Sequence, residues 1–156
     1  HTCIDSSGIA YKENNAAFIQ KLDKLMPLTD LVMLDIKHID PEKHKELTSQ
    51  PNDGILAFAK YLEKKQVPVW IRHVIVPGLT DDEKYLYQLG YFIGHLSNLK
   101  ALDALPYHTM GEKKYESLGM EYKLHGVPAM DQKTLLVKKQ AILDGVKAAR
   151  KELENS

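Results

Sequence analysis

The stretch Val67–Val76, with the sequence VPVWIRHVIV, is the longest β-strand pattern in this chain, and Pro77 and Gly78 close it. Its apolar side chains follow one another almost without interruption, which is typical of a strand in a parallel sheet covered on both faces. Pro68 has no backbone N–H group, so it fits only the first residue of a strand or an edge position. This stretch therefore predicts a long strand, and the strands and helices predicted on either side of it in the sequence decide the fold.

Three further strand-like segments occur, at Thr2–Ile4, Leu31–Leu34 and Ala101–Leu105. Helical spacing of apolar residues predicts helices at Asn15–Leu25 and Asp53–Lys65. Capping signals predict three more, at Pro41–Leu47, Thr80–His95 and Lys133–Lys151. Alternation of strands and helices predicts an α/β fold with about four parallel strands. Such a set is either a small open sheet or half of an eight-stranded barrel.

Local capping signals fix the starts of three of these helices. Asp40 followed by Pro41 is typical of an N-cap and a first helical position. Thr80 and Glu83 match a capping box, and Asp131 can cap the last helix. Between the last strand and that helix, Gly111–Gly119 predicts a loop with a short helical turn.

The composition excludes several classes of protein. The 156 residues suit one domain, and 21 basic residues balance 21 acidic ones, so no net field favours nucleic acid or an anionic membrane. No membrane-length apolar run and no signal peptide is visible. The single cysteine, Cys3, excludes an internal disulfide and any metal or cluster site built on several thiolates of this chain. We expect a reducing cytoplasmic location and a small, buried Cys3.

The beginning of the chain is unusual, because it opens on His1 and already has a strand pattern at Thr2. We expect that the N-terminal part of a larger protein is absent. An uncovered strand edge and an uncovered apolar face favour association, so we also expect this chain to self-associate.

Polar or charged side chains follow each strand where it ends: Asp5, Asp35 with Lys37, Arg72, and His108. Carboxyl ends of parallel strands meet at one edge of the sheet, where α/β proteins build their sites. The sequence therefore predicts a site for a charged small molecule at this edge.

Asp35 and Lys37 are two residues apart, so in an extended segment they share a face. A carboxylate and an ammonium there can hold both ends of an amino-acid zwitterion. The alternative is a surface ion pair at the exit of a strand. The apolar run just before Asp35 favours the functional interpretation, because it places the pair at the mouth of a core.

Arg72 must find an anion or a carboxylate if it is buried, since guanidinium stays charged. The alternative is an edge strand with Arg72 in water. His73 must face the other way and is predicted to be structural. His108 can act as a donor or as an acid or base, although alone it is only a loop histidine. The remaining histidines lack metal-ligand spacing and are predicted to be surface or packing residues: His1, His38, His44, His95 and His125.

Four strings together resemble one family: DLVMLDIK at Asp30–Lys37, VWIRHVIVPG at Val69–Gly78, LPYH at Leu105–His108 with Gly111, and GMEYKL at Gly119–Leu124. They are similar in order and spacing to the pyruvate formate-lyase-activating enzymes, a glycyl-radical activating family of the radical S-adenosylmethionine superfamily. The resemblance covers nearly the whole chain.

The resemblance implies a partial α/β barrel that binds S-adenosylmethionine and a [4Fe–4S] cluster. Such an enzyme is an oxidoreductase of anaerobic metabolism that generates a glycyl radical on pyruvate formate-lyase. The resemblance also implies an electron donor such as flavodoxin. In these enzymes the cluster is held by a Cys-x-x-x-Cys-x-x-Cys loop after the first strand.

Positions that match family motifs carry implied roles. Asp35, Lys37 and His108 fall on positions that hold the methionine part of the cofactor, and Arg72 falls on a strand arginine that faces the site. Asp5 with Ser6 falls on a motif that contacts the cofactor and a monovalent cation, for which Asp35 is the second candidate. The family motif Asp-Thr-Asn-Gly reads DSSG here, at positions 5–8.

The three-cysteine loop and the glycine-rich motif expected after the second strand are both absent from these 156 residues. The resemblance thus implies that positions 1–156 form the C-terminal part of such an enzyme, from its fourth strand onward, and that this part alone is inactive. Two alternatives remain open. One is an aldolase-like barrel piece with Lys37 as a Schiff-base amine. The other is a non-catalytic α/β ligand-binding module.

Overall fold

A computed structural model describes residues 1–155 and contains one parallel sheet of four strands. The strands are β1 (Cys3–Ser6), β2 (Leu31–Asp35), β3 (Val69–Ile75) and β4 (Leu99–Pro106). They lie in chain order, β1-β2-β3-β4, and every neighbouring pair is parallel. The predicted α/β class with four parallel strands is confirmed. Because β3 is an internal strand, Arg72 does not lie on an edge.

Helices connect the strands much as their patterns predict. They are α1 (Ala16–Leu25), α2 (Pro41–Thr48), α3 (Asp53–Lys64), α4 (Glu83–Gly94), α5 (Glu112–Ser117) and α6 (Gln132–Glu154), with 3-10 turns at Met26–Leu28 and Thr109–Gly111. Asp40 and Asp131 cap α2 and α6, where their carboxylates accept from the backbone N–H groups of Lys43 and Thr134. None of the described helices is long and apolar enough to cross a membrane.

The predicted capping box of Thr80 and Glu83 is wrong. The N-cap of α4 is Asp82, whose carboxylate accepts from the N–H of Lys84 at 2.8 Å. Thr80 is buried instead, and its hydroxyl donates to the carbonyl of Val74 at 2.8 Å while accepting from the N–H of Val76 at 2.7 Å. The hydroxyl thus satisfies backbone groups at the end of β3 and is not free to cap a helix.

One face of the sheet carries the core. Alternate residues of β3 are buried, namely Val69, Ile71, His73 and Ile75, and they join a cluster with residues of the helices. The helical members of this cluster include Leu62 of α3, Leu89 and Ile93 of α4, and Ile142 of α6. Burial of these side chains against the sheet supplies most of the hydrophobic stabilisation.

The opposite side, here called the open face, carries the side chains of Cys3, Asp5, Met33, Asp35, Trp70, Arg72 and Asp103. Trp70 is 42% exposed, and Cys3 is exposed as well. The expectation of a buried Cys3 is therefore wrong, because Cys3 shares the open face of β1 with Asp5. The apolar strand pattern signals burial on both faces, whereas residues 1–155 fully cover only one.

Candidate ligand site at the carboxyl ends of the strands

Asp35 and Lys37 form an ion pair at the carboxyl end of β2. The Nζ atom of Lys37 lies 2.6 Å from Oδ2 of Asp35, and their side chains are 19% and 40% exposed, for Asp35 and Lys37 respectively. Both lie on the open face, as the two-residue spacing predicts. The pair is neither fully buried nor a freely solvated surface contact.

The second oxygen of Asp35 has no partner. Oδ1 is buried and makes no hydrogen bond within the described residues, although Oδ2 is engaged by Lys37. A desolvated carboxylate oxygen without a donor costs free energy, and such atoms in native structures call for an explanation. An added donor, such as an ammonium group or a cation, would satisfy it.

Arg72 forms the second ion pair of the site, with Asp5. Its Nη2 and Nη1 atoms lie 2.9 Å and 3.2 Å from the same carboxylate oxygen, Oδ2 of Asp5. The two residues belong to β3 and β1, so the guanidinium reaches across β2. The prediction that Arg72 finds an anionic partner is confirmed, and the partner is a residue of the site itself.

These pairs bring Asp5, Asp35, Lys37 and Arg72 together on the open face. Asp35 and Arg72 are register partners in adjacent strands, which holds the two ion pairs side by side. Two carboxylates, one ammonium and one guanidinium can recognise a zwitterion through opposite charges. Among residues 1–155, no group of three or more His, Cys, Asp or Glu side chains could hold a metal ion.

Ser6 does not join this group. It lies next to Asp5 in β1, and successive side chains of a strand point to opposite faces. Its hydroxyl accepts from the N–H of Gly8 at 3.0 Å. Gly8 has a φ of 70°, so the serine stabilises a turn that places the chain in the left-handed region.

His108 lies beyond the end of β4 with an exposed side chain, which makes no hydrogen bond or ion pair within residues 1–155. The neighbouring Tyr107 is buried, and its hydroxyl lies 2.8 Å from that of Tyr122. This hydrogen bond, together with burial, raises the pKa of Tyr122 to about 12. The contact anchors the Gly119–Leu124 segment beside His108.

The sequence predicts a structural role for His73, and the structure adds a contact with the backbone between Asp35 and Lys37. Its ring is 2% exposed on the core face of β3, and burial lowers its pKa below the ordinary value of 6.5. Nδ1 lies 2.7 Å from the carbonyl oxygen of Ile36, the residue between Asp35 and Lys37. Strand alternation predicts the face on which His73 lies, but no sequence signal identifies the carbonyl that it meets.

This fold and this site define an α/β protein that presents opposite charges at the carboxyl edge of a parallel sheet, an arrangement typical of small-molecule binding. Sequence similarity identifies the relatives. The chain is 48% identical over 135 residues to the pyruvate formate-lyase-activating enzyme of Listeria monocytogenes. The alignment covers 86% of this chain and 54% of the relative. It is 48% identical over 127 residues to the same enzyme of Streptococcus mutans. That alignment covers 81% of this chain and 48% of the relative.

The chain is therefore homologous to the pyruvate formate-lyase-activating enzymes, and the predicted resemblance is confirmed. It spans about half the length of the curated relatives that it matches. No protein-family model matches it.

A solved structure supports the fold independently. A domain of the pyruvate formate-lyase-activating enzyme of Bacteroides vulgatus superposes with a TM-score of 0.70, covering 93% of this chain and 76% of that one. Its sequence identity is 19%, so this likeness concerns the fold alone.

Proposed function

We propose that this chain is the C-terminal part of a pyruvate formate-lyase-activating enzyme and supplies its contacts to S-adenosylmethionine. The observation that carries the proposal is the Asp35–Lys37 pair with its unpartnered Oδ1 atom, in a chain 48% identical to such enzymes. The half-barrel arrangement and a cytoplasmic location belong to the same proposal.

The residues present fit the amino-acid part of this cofactor. The free oxygen of Asp35 would accept from its ammonium group. Lys37, Arg72 and His108 would face its carboxylate, because they supply the donors at this edge of the sheet. Asp5 would contact the remainder of the cofactor, with Ser6 acting only through the turn that its hydroxyl holds at Gly8, and Asp5 with Asp35 would hold a monovalent cation. Fixed side chains of this kind position a reactant by geometry.

The residues of this chain do not fit the [4Fe–4S] cluster. A site for this cluster requires several thiolates, and the 156 residues contain one cysteine, on the open face of β1. We propose that the cluster ligands come from another part of the complete enzyme. When bound beside that cluster, S-adenosylmethionine would provide the chemistry that removes a hydrogen atom from a glycine of pyruvate formate-lyase. The electron would come from a donor such as flavodoxin.

The alternatives make different demands on Lys37. A Schiff-base lysine must present a free amine to a carbonyl, whereas Lys37 is held in an ion pair 2.6 Å from Asp35. Borohydride trapping of a carbonyl substrate on Lys37 would favour the aldolase-like alternative. Tight binding of S-adenosylmethionine by the 156-residue chain without any cluster would favour a non-catalytic module.

The test uses alanine variants of Asp35, Lys37 and His108 in the activating enzyme of full length. Each should weaken S-adenosylmethionine binding by roughly 1.5–3 kcal/mol, the value of a charge-assisted contact. Thermal melts run beside the titrations separate binding from folding, and formation of the glycyl radical is followed by electron paramagnetic resonance.

The matched control is Lys43→Ala. Lys43 is also an exposed lysine in an ion pair, with Glu46 at 2.9 Å, but it lies on α2. The Lys43→Ala substitution should leave the affinity for S-adenosylmethionine unchanged. Unaltered affinity in all three site variants would refute the proposed role.

A further inference from the structure

Ile36, the residue between Asp35 and Lys37, is held by β3 at both its N–H group and its carbonyl group. The N–H of Ile36 donates to the carbonyl of Arg72 at 3.0 Å. Its carbonyl oxygen lies 2.7 Å from Nδ1 of His73. The β2–β3 pairing ends at Asp35 and Arg72, so this imidazole contact holds the chain one residue beyond the sheet.

The geometry fixes the state of the imidazole. Because a carbonyl can only accept, Nδ1 must carry the proton and donate to Ile36. Nε2 then carries a lone pair, and it is buried near the backbone of Thr80 without a hydrogen bond of ordinary geometry. An apolar ring would avoid that unsatisfied atom, so packing alone does not explain a histidine here.

We infer that His73 is a positioning residue, whose Nδ1–H group fixes the Ile36–Lys37 peptide through the Ile36 carbonyl and thereby holds Lys37 beside Asp35 on the open face. Ile36 itself is completely buried, and a rotation of the Ile36–Lys37 peptide would turn the side chain of Lys37 relative to Asp35. The inference deepens the proposed function and rests on it wherever S-adenosylmethionine binding is the measurement.

Two substitutions separate the hydrogen bond from the shape of the ring. His73→Phe keeps a planar ring but removes the donor. His73→Asn restores an N–H donor on a short side chain, and it should rescue the function of the bond.

The chain offers a matched control in His44. This histidine is 1% exposed, its Nδ1 contacts the carbonyl of Gln50 at 2.8 Å, and its Nε2 is also buried without a partner. His44 lies on α2, however, and its hydrogen bonds go to Gln50 and Thr48 instead of Ile36. His44→Phe therefore reproduces the loss of a buried imidazole bond elsewhere in the fold.

The first measurement needs no cofactor. Lysine acylation by acetic anhydride, read by mass spectrometry, compares Lys37 with Lys43, whose side chains are 40% and 47% exposed and both ion-paired. In His73→Phe the rate at Lys37 relative to Lys43 should rise at least threefold. His73→Asn and His44→Phe should leave the ratio unchanged. An unchanged ratio in His73→Phe would overturn the inference.

The second measurement is S-adenosylmethionine affinity of the full-length enzyme, with urea unfolding of each variant beside it. His73→Phe should bind at least tenfold more weakly, His73→Asn within threefold of the wild type, and His44→Phe like the wild type. Equal losses in His73→Phe and His44→Phe would show a general effect of destabilisation and overturn the inference. If the wild type binds no cofactor but the acylation ratio rises in His73→Phe, the proposed function fails while the positioning role stands.

Discussion

Gly145 of α6 lies against the backbone of Tyr87 of α4 so closely that a Cβ atom on the glycine would be 2.1 Å from the tyrosine carbonyl oxygen. The same Cβ would be 2.7 Å from the backbone nitrogen of Tyr91. Gly90 of α4 faces Ile142 of α6 in the same way. These glycines let the two helices approach in backbone contact, and α4 and α6 cover the core face of the sheet.

Gly145→Ala should therefore destabilise the protein, although glycine-to-alanine changes inside a helix usually stabilise by about 0.5–1 kcal/mol. Overpacking of this kind costs about 1–3 kcal/mol or more. Urea unfolding measures the change. Gly111→Ala is the control, because a Cβ there meets nothing closer than 3.7 Å and should alter the free energy of unfolding by less than about 0.5 kcal/mol. A Gly145→Ala variant as stable as the wild type would contradict the described approach of the helices.

His73 should make stability fall as the medium is acidified below pH 6.5. Burial lowers its pKa from 6.5 in the folded state, and the pKa of His38 is lowered for the same reason. Between the folded and unfolded pKa values the unfolded chain binds more protons, so stability increases with pH there. The contribution of neutral His73 to the free energy of unfolding is complete above pH 6.5. It decreases as the pH falls from 6.5 toward the folded-state pKa, and it levels off below that pKa.

The slope in that window should reach about 1.4 kcal/mol per pH unit for each such histidine. Three carboxylates with lowered pKa values, Asp23, Asp30 and Asp131, lose their contribution only below their ordinary value of 3.8, so they add little slope between pH 7 and about 5. Free energies of unfolding measured from pH 7 to about 5 should show a smaller slope in His73→Asn. An identical slope in the variant would exclude His73 as a source of this pH dependence of stability.

The 156-residue chain should self-associate through the open face and the β1 edge. Trp70 is 42% exposed on that face, on the internal strand β3, and β1 is an edge strand of the sheet. Exposed apolar patches and unpaired strand edges both favour association. Light scattering over a concentration series, with a thiol reductant present, should give a mass above 17.7 kDa that increases with concentration.

Trp70→Lys should lower that mass, whereas Tyr87→Lys should not. Tyr87 is 43% exposed, but it lies on α4 on the helical side of the sheet. A constant mass of 17.7 kDa in the unmodified chain would contradict the expectation.

Local sequence determined most of the fold. Continuous apolar runs marked β2 and β3, and Asp40 and Asp131 capped the helices that follow them in the chain. The two errors have tertiary causes. Thr80 bonds to the end of β3 instead of capping α4, and Cys3 lies on a face that the described helices do not cover. Neither effect can be inferred from neighbouring residues.

The site was predictable where its residues are close in sequence. Asp35 and Lys37 share a strand face by spacing alone, and the structure pairs them. Asp5 and Arg72 are 67 residues apart on strands that are not neighbours, so their contact depends on the sheet order. The bond from His73 to Ile36 depends on where the β2–β3 pairing stops, which no sequence pattern specifies.

The most direct test of the account compares two ligands on the Asp35→Asn variant of the full-length enzyme. S-Adenosylmethionine carries the amino-acid group that Asp35 is proposed to hold, and 5′-methylthioadenosine lacks it. Equilibrium binding should show S-adenosylmethionine weakened by roughly 10- to 150-fold in the variant, the equivalent of about 1.5–3 kcal/mol. The affinity for 5′-methylthioadenosine should stay within about twofold of the wild type, since this ligand lacks the group that Asp35 is proposed to hold. If Asp35→Asn binds S-adenosylmethionine as tightly as the wild type, or loses both ligands equally, the proposed role of the strand-end site is contradicted.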